Sequence, residues 1–359
     1  MLIVDVRTFA RSYDAVVGRG VLGDLGAMSR PLAQGAAAVV CCDDNVAPLY
    51  LQKARRSLET AGFSVAEIVI PAGEDQKNLV SLELLLGQFY DLGLARRDLI
   101  VALGGGVIGD MAGFAAAVFQ RGVCLVQVPT TLLAMVDASV GGKVAVDYRD
   151  GKNYVGTFYQ PWLVVADLDT LATLPAREIR CGWAEMVKHA LLQGDPALGL
   201  CEEGLADPES PSEVLVEANL RYKASVAARD EREECGTRAV LNLGHTIGHA
   251  VEAATGFSRY SHGEAVGLGL RAALWLSASL TGLTSGDADH GQRLLSRAGL
   301  PERLTDVDGD HVVSLIARDK KAVGASVGFV LLEGPGRPVA GVEVPLALQR
   351  EVVEWLAAR

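Results

Sequence analysis

The sequence predicts an α/β protein in two parts: a Rossmann-like parallel sheet with covering helices over residues 1–172, and a mainly α-helical domain over residues 173–359. Three observations carry this expectation. Short apolar runs alternate with helix-length segments through the first half, the pattern of strands joined by helical crossovers. A glycine-rich turn, Gly104-Gly105-Gly106-Val107-Ile108-Gly109-Asp110, sits between one such run and an apolar helix. Beyond Leu171 to Pro175 the character changes to long segments with apolar residues at helical spacing.

Taken in order, Met1-Leu2-Ile3-Val4-Asp5-Val6-Arg7 interleaves acid and base and reads as a strand, not a signal peptide. Residues 37–42 form an apolar strand, followed by a helix through about Ala61 and a strand at 65–70. A helix over 79–92 leads to the strand 99–103. Residues 123–128 are another strand, ended by Pro129, and 163–166 complete the sheet. The second part predicts helices over 176–192, 212–229, 244–254, 263–280, 287–298, 310–322 and 346–357, interrupted by a strand pair at 327–332 and 339–344. Asp207-Pro208-Glu209-Ser210-Pro211 reads as a surface loop.

Composition narrows the function classes. At 359 residues there is room for two cores, and 50% hydrophobic with 21% charged residues excludes a disordered chain. A formal charge of -11 argues against a nucleic-acid surface, which needs clustered cations. It leaves room for an anionic small molecule in a local basic pocket. No apolar run reaches the roughly 18 residues of a membrane span. Six cysteines, at 41, 42, 124, 181, 201 and 235, form no Cys-x-x-Cys pair and read as reduced thiols of a cytoplasmic enzyme.

The glycine turn fits G-x-G-x-x-G, which lets backbone N–H groups at a helix N-terminus approach a pyrophosphate. Alone the match is weak, since packing turns look alike. It begins a hundred residues into the chain, and no acidic strand end follows about twenty residues on. Asp43 and Asn45, at the end of an earlier strand, offer another hold on a ribose, and Glu74 and Lys77 could face the same groove.

A second constellation uses different chemistry. Glu185 lies in Gly182-Trp183-Ala184-Glu185-Met186-Val187-Lys188-His189, His245 in Asn242-Leu243-Gly244-His245-Thr246-Ile247-Gly248-His249, and His262 in Ser261-His262-Gly263-Glu264-Ala265. Two imidazoles and a carboxylate are the ligand set of an open zinc site. A lone histidine is more often a core residue, but three of six here fall in two neighbouring phrases. His245 and His249 share a helix face, so both could ligate, or one could ligate and the other be catalytic. Glu185 and Lys188 share another, with Cys181 a weaker rival ligand.

These phrases, with Pro129-Thr130-Thr131-Leu132-Leu133-Ala134-Met135-Val136-Asp137, Gly141-Gly142-Lys143 and Gly151-Lys152-Asn153, resemble the 3-dehydroquinate synthase family of the sugar-phosphate cyclase superfamily. The resemblance runs from about Asp43 to Leu332. It implies an N-terminal nucleotide-binding α/β domain and a mainly helical metal-binding domain. It implies zinc (or cobalt) on Glu185, His245 and His262. It implies NAD contacts from Asp43, Asn45, Glu74, Lys77, Gly105, Gly106, Asp110, Thr130, Thr131 and Leu133, with Lys143 and Lys152 beside them. Asp137, Lys143, Lys152, Asn153, Lys188, Lys223, Arg238, Asn242, His249 and one of Lys320 and Lys321 match substrate-site positions. Arg121 resembles an arginine that reaches a neighbouring subunit's substrate, so a homodimer is implied. One departure concerns the last lysines: Gly328 stands where the family has a basic residue before its Phe-Val-Leu strand. The family's substrate is a phosphorylated keto acid, handled through transient oxidation by NAD, phosphate elimination, reduction, ring opening and an intramolecular aldol. Of its cations, Lys143 and Lys152 follow glycines in loop phrases poor in other charge, whereas Lys223, on a helix with mixed faces, equally fits a solvated surface position. Cyclases of sugar phosphates without a carboxylate, a metal-dependent polyol dehydrogenase and a non-catalytic NAD-binding regulator are the competing readings.

Overall fold

The computed structural model describes residues 1–149, 151–322 and 328–358, without the side chains of 317–322. The chain divides into two compact units. Met1–Leu174 with Ser212–Arg232 form the first, and Pro175–Pro211 with Glu233–Arg359 the second.

The first unit opens with an antiparallel pair, β1 (Leu2–Arg7) and β2 (Ser12–Gly18), and a short α1 (Leu25–Ser29). The expected alternation follows: β3 (Ala37–Asp43), α2 (Gln52–Thr60), β4 (Ser64–Ile70), α3 (Leu79–Asp91), β5 (Leu99–Gly104), α4 (Gly106–Val118) and β6 (Cys124–Pro129). A hairpin of β7 (Lys143–Tyr148) and β8 (Gly151–Phe158) forms a separate two-stranded sheet, and β9 (Leu163–Asp167) rejoins the main one. The main sheet runs β1-β2-β9-β6-β5-β3-β4. Its neighbours are parallel except β1 and β2.

The unbroken apolar runs of β3, β5 and β6 have a direct cause. Val40, Cys42, Leu99, Val101, Leu103 and Val126 pack on one face with Leu25 and Leu58 of the helices. Val39, Cys41, Ile100, Ala102 and Leu125 pack on the other with Leu85, Phe89 and Met111. Successive side chains alternate faces, and both faces are covered, so neither set can be polar.

Strand order also places the ligand end. β4 lies on one side of β3 and β5 on the other, so chain direction switches between β3 and β5. Open parallel sheets bind ligands beyond the carboxyl ends of the strands flanking such a switch. Asp43 ends β3, and Gly104 ends β5.

The hairpin β7–β8 departs from the loop reading of 141–153. Lys143-Val144-Ala145-Val146 already alternates, and Val144 and Val146 are buried in the core beside α4.

The second unit begins with α5 (Ala176–Gln193) and α6 (Ala197–Gly204). The next helix, α7 (Glu213–Arg229), belongs to the first unit, so a single boundary at 172/173 does not describe the chain. Its buried face, including Leu215, Val216, Leu220, Ala224 and Ala227, packs along β1 and the turn at Ala134–Ala138. The second unit resumes with α8 (His245–Ala254), α9 (His262–Leu280), α10 (Ser285–Arg297) and α11 (Gly309–Ala322). The hairpin β10 (Phe329–Gly334) and β11 (Arg337–Val342) and the helix α12 (Leu346–Ala358) complete it. Helix α9 is apolar nearly all round because α5, α8, α10, α12 and β10 surround it. Among the described residues no helix is long and apolar enough to cross a membrane.

Candidate active site

In the first unit the glycine turn is tied to the loop after β6. Thr130 donates its backbone N–H to the Gly104 carbonyl at 3.0 Å. A side chain at Gly105 would stand 3.0 Å from the Thr131 methyl, so glycine permits this approach. Gly106 begins α4, whose first N–H groups have no partner within the helix. Thr131 Oγ1 accepts the Ala134 N–H at 3.2 Å and shapes the turn that holds Leu133. Across the switch, Oδ1 of Asp43 accepts the N–H groups of Asn45 (3.0 Å) and Val46 (2.9 Å). Burial pushes the Asp43 carboxyl up, against those two hydrogen bonds. Asn45 is exposed.

Three cations of this unit, Lys77, Lys152 and Lys223, are held in ion pairs. Lys77 is only 4% exposed, and its Nζ lies 2.5 Å from both Asp110 Oδ2 and Asn153 Oδ1. Burial raises the Asp110 pKa and Lys77 opposes it. Lys152 pairs with Glu74 at 3.3 Å. Asn153 adopts a left-handed backbone (φ 53), and its N–H donates to Asp147 Oδ1 at 2.6 Å. Lys143, at the start of β7, is exposed. Lys223 is not a solvated surface residue: it is 7% exposed and paired with Asp137. Helix α7 turns this lysine inward because its apolar neighbours bury the same face. Arg121 is exposed, on a left-handed stretch (φ 61) just after α4.

In the second unit, Glu185, His245 and His262 bring ligand atoms within 4.8 Å of one another. Glu185 comes from the middle of α5, and the histidines open α8 and α9. Glu185 Oε1 is 3.5 Å from His245 Nε2 and 3.7 Å from His262 Nε2. Lys188, one turn along α5 and 2% exposed, pairs with the other oxygen. Close helix packing sets these distances. Gly263 meets the Cys181 backbone where α9 crosses α5, so any side chain there would collide with main chain. That crossing leaves Glu185, one turn beyond Cys181, level with His262. Cys181 Sγ lies 3.0 Å from Ser261 Oγ, and its thiol is pushed up by burial; the Glu185–His245–His262 group does not include it. Ser261 also forms a capping box with Glu264 that fixes the start of α9.

The donor set suits a divalent cation. The Lys188 ammonium compensates Oε2 of the fully buried Glu185, while Oε1 has no hydrogen-bond partner and faces the two imidazoles, an arrangement that a positive centre between them would satisfy. Burial opposes charge on Glu185, but Lys188, His245 and His262 hold it well below the usual carboxylate range. Burial and then Lys188 hold His245 well below its ordinary value, so it is a neutral imidazole at pH 7. Its Nδ1 lies 3.2 Å from the Leu243 carbonyl, which turns Nε2 toward Glu185. Burial lowers His262, yet the carboxylates of Glu185 and Glu252 outweigh it and raise it to about 9.

His249 follows His245 by one turn, with ring centroids 5.3 Å apart, on the exposed side of α8. Arg238 is 3% exposed, with Nε 3.4 Å from Glu233. Asn242 ends the same 3-10 turn, Thr237–Asn242, and is exposed. The side chains of Lys320 and Lys321 lie outside the described residues. Sequence reasoning missed Glu252, which is 2% exposed and faces His262 Nδ1 at 3.4 Å. Its signal was a carboxylate two turns after His245 in an otherwise apolar helix segment.

Comparisons with known proteins divide the chain by sequence at 181/182, which puts α7 with the C-terminal part although it packs in the first unit. Residues 67–181 match the 3-dehydroquinate synthase N-terminal family model, and residues 182–322 the 3-dehydroquinate synthase C-terminal model. The 3-dehydroquinate synthase of Nitrobacter winogradskyi is 44% identical, with 98% of this chain and 94% of that protein covered. The crystal structure of a 2-deoxy-scyllo-inosose synthase complexed with carbaglucose-6-phosphate, NAD+ and Co2+ superposes with a TM-score of 0.89 at 27% identity, covering 98% of this chain and 99% of that one. The 2-epi-5-epi-valiolone synthase of Streptomyces hygroscopicus, with NAD+ and Zn2+ bound, gives 0.89 at 25% identity over the full length of both chains. Two family models meeting end to end, and a curated relative matched over nearly the whole length, place the chain in the 3-dehydroquinate synthase family.

Proposed function

We propose that the chain converts 3-deoxy-D-arabino-heptulosonate 7-phosphate to 3-dehydroquinate and phosphate, a lyase step of the shikimate pathway toward aromatic amino acids. The observation that carries this reading is the buried Glu185 carboxylate faced by two imidazoles, in a chain matched to 3-dehydroquinate synthases across 98% of its length. Glu185, His245 and His262 hold zinc or cobalt. Asp43, Asn45, Glu74, Lys77, Gly105, Gly106, Asp110, Thr130, Thr131 and Leu133 hold NAD. When bound, these two groups supply Lewis acidity toward a substrate oxygen and a reversible hydride acceptor.

The chain's own residues supply position and charge. The Gly105–Gly106 backbone approaches the pyrophosphate, and the N-terminus of α4 favours its negative charge. Lys143, Lys152, Asn153 and Lys223 bind the anionic substrate. Their carboxylate partners, Glu74 for Lys152 and Asp137 for Lys223, hold each ammonium in place in an acidic protein. Lys188 serves substrate oxygens while holding Glu185 ionised. Arg238 recognises the substrate carboxylate, since a buried planar guanidinium offers paired donors to a planar anion, and Asn242 lies one turn away. His249, accessible and next to His245, relays the hydroxyl proton.

A homodimer is part of this proposal. Arg121 is exposed for a neighbour's substrate, and α3 presents Val80 and Leu84 one turn apart on its outer side. The cytoplasm suits five buried free thiols.

The test is phosphate release from the keto-acid phosphate with trace NAD. Many turnovers per NAD are expected, without lasting NADH absorbance. Chelation should abolish release, and zinc or cobalt should restore it. One NADH per product would make the chain a dehydrogenase. Equal or faster turnover of sedoheptulose 7-phosphate, which lacks the carboxylate, would move it to a neighbouring cyclase branch. The expected preference against that sugar is at least tenfold, since losing a charge-assisted hydrogen bond from the substrate carboxylate to Arg238 costs about 1.5–3 kcal/mol.

A further inference from the structure

Besides its two histidines, helix α8 carries one carboxylate. Glu252 stands two turns after His245, between Ala250, Val251, Ala253 and Ala254, and is almost fully buried. Its two oxygens are each 3.4 Å from Nδ1 of His262. The other nitrogen of that ring, Nε2, is 3.7 Å from Glu185 Oε1. The imidazole therefore has a carboxylate at each nitrogen, one on α5 and one on α8. Only one of the two can be a partner in a metal site built on Nε2.

We propose that Glu252 is a positioning residue: its carboxylate accepts the Nδ1 proton of His262, fixes the tautomer that leaves the Nε2 lone pair toward Glu185 and His245, and strengthens the metal site without ligating. This rests on the metal assignment above. The arrangement parallels that of His245, where the Leu243 carbonyl stands behind Nδ1 at 3.2 Å. Both ligand rings are thus oriented from behind, one by a carbonyl and one by a carboxylate. The carboxylate also raises the donor strength of its imidazole. A competing arrangement exists, because His249, Glu252 and His262 also bring ligand atoms within 4.8 Å. There Glu252 would ligate directly and His262 would bind through Nδ1. That arrangement leaves the buried Glu185 outside the site, and places both oxygens of Glu252 astride the nitrogen they would have to share a metal with.

Zinc affinity of the full chain, measured by competition with a chromophoric chelator, separates the cases. Glu252→Gln should keep one zinc at saturation but weaken binding about 10–100-fold. In a His262→Ala background the same substitution should have no further effect. His249→Ala should bind zinc within about twofold of the parent, well under the change that loss of an outer partner brings. Undiminished affinity in Glu252→Gln, or additive losses with His262→Ala, would overturn the proposal. Loss of zinc in both Glu252→Gln and His249→Ala, with retention in Glu185→Ala, would show that the metal assignment itself fails. A readout on the unaltered protein guards against misfolding of the variants. Nitrogen-15 spectra of the zinc-loaded chain should show the His262 proton on Nδ1, and a ring deprotonated there would refute the idea.

Discussion

At the scale of single residues, the second unit poises the two histidines proposed as ligands oppositely. His245 is neutral at pH 7, while His262 in the metal-free protein is raised to about 9 by Glu185 and Glu252 against its burial. An unfolded histidine titrates near ~6.5. A raised folded value contributes stability that is fully present below the unfolded pKa and lost as pH rises through the folded one. The metal-free protein should therefore lose stability between about pH 6.5 and 9. A ligated His262 carries no such proton, so the gain in Tm on adding zinc at fixed free concentration should widen across that window. Thermal melts with and without zinc at several pH values measure it; a gap that narrows would contradict the assignment. The residues proposed as ligands stand out because each sits in a dense local phrase, and the fold brings them together. Lys223 was ambiguous and Glu252 invisible, because their roles depend on which face of a helix is buried, and that is decided by elements distant in sequence.

At the scale of elements, the contact that matters most to the proposed metal residues is between α5 and α9. Gly263 touches the Cys181 main chain, which cannot move aside as a flexible side chain would. Gly263→Ala should push the helices apart and destabilise the protein by about 1–3 kcal/mol, the range for overpacked sites. Zinc affinity should fall with it, since His262 is the adjacent residue. Urea unfolding and metal titration of that variant give both numbers, and a neutral substitution would show that the crossing is looser than described. The parallel strands and the long helices could be read from sequence because period and length agree over each. The β7–β8 hairpin could not: its alternation spans few residues, and the glycines and charges around it resemble loop chemistry. The antiparallel β1–β2 edge lacked a crossover signal to orient it.

At the scale of the whole molecule, the path of the chain is the feature that sequence periodicity did not reveal. Helix α7 looks like its helical neighbours, yet it completes the first unit, covering β1 and supplying Lys223 to Asp137. A fragment ending at Leu174 should therefore be poorly folded, with an uncovered apolar face on β1. Supplying residues 212–232 through a linker should recover cooperative melting; a fragment that melts cooperatively without them would refute this. The chain leaves the first unit, returns to it, and leaves again, at 174/175, 211/212 and 232/233. The two units are therefore not separable cassettes for inheritance. A single genetic crossover between related chains near residue 174 would join one parent's sheet to the other parent's α7, pairing one lineage's Asp137 with the other's lysine. Recombination can exchange the nucleotide-side unit intact only by three crossovers, so sequence drift in α7 is expected to follow the first 174 residues and not the helices on either side of it.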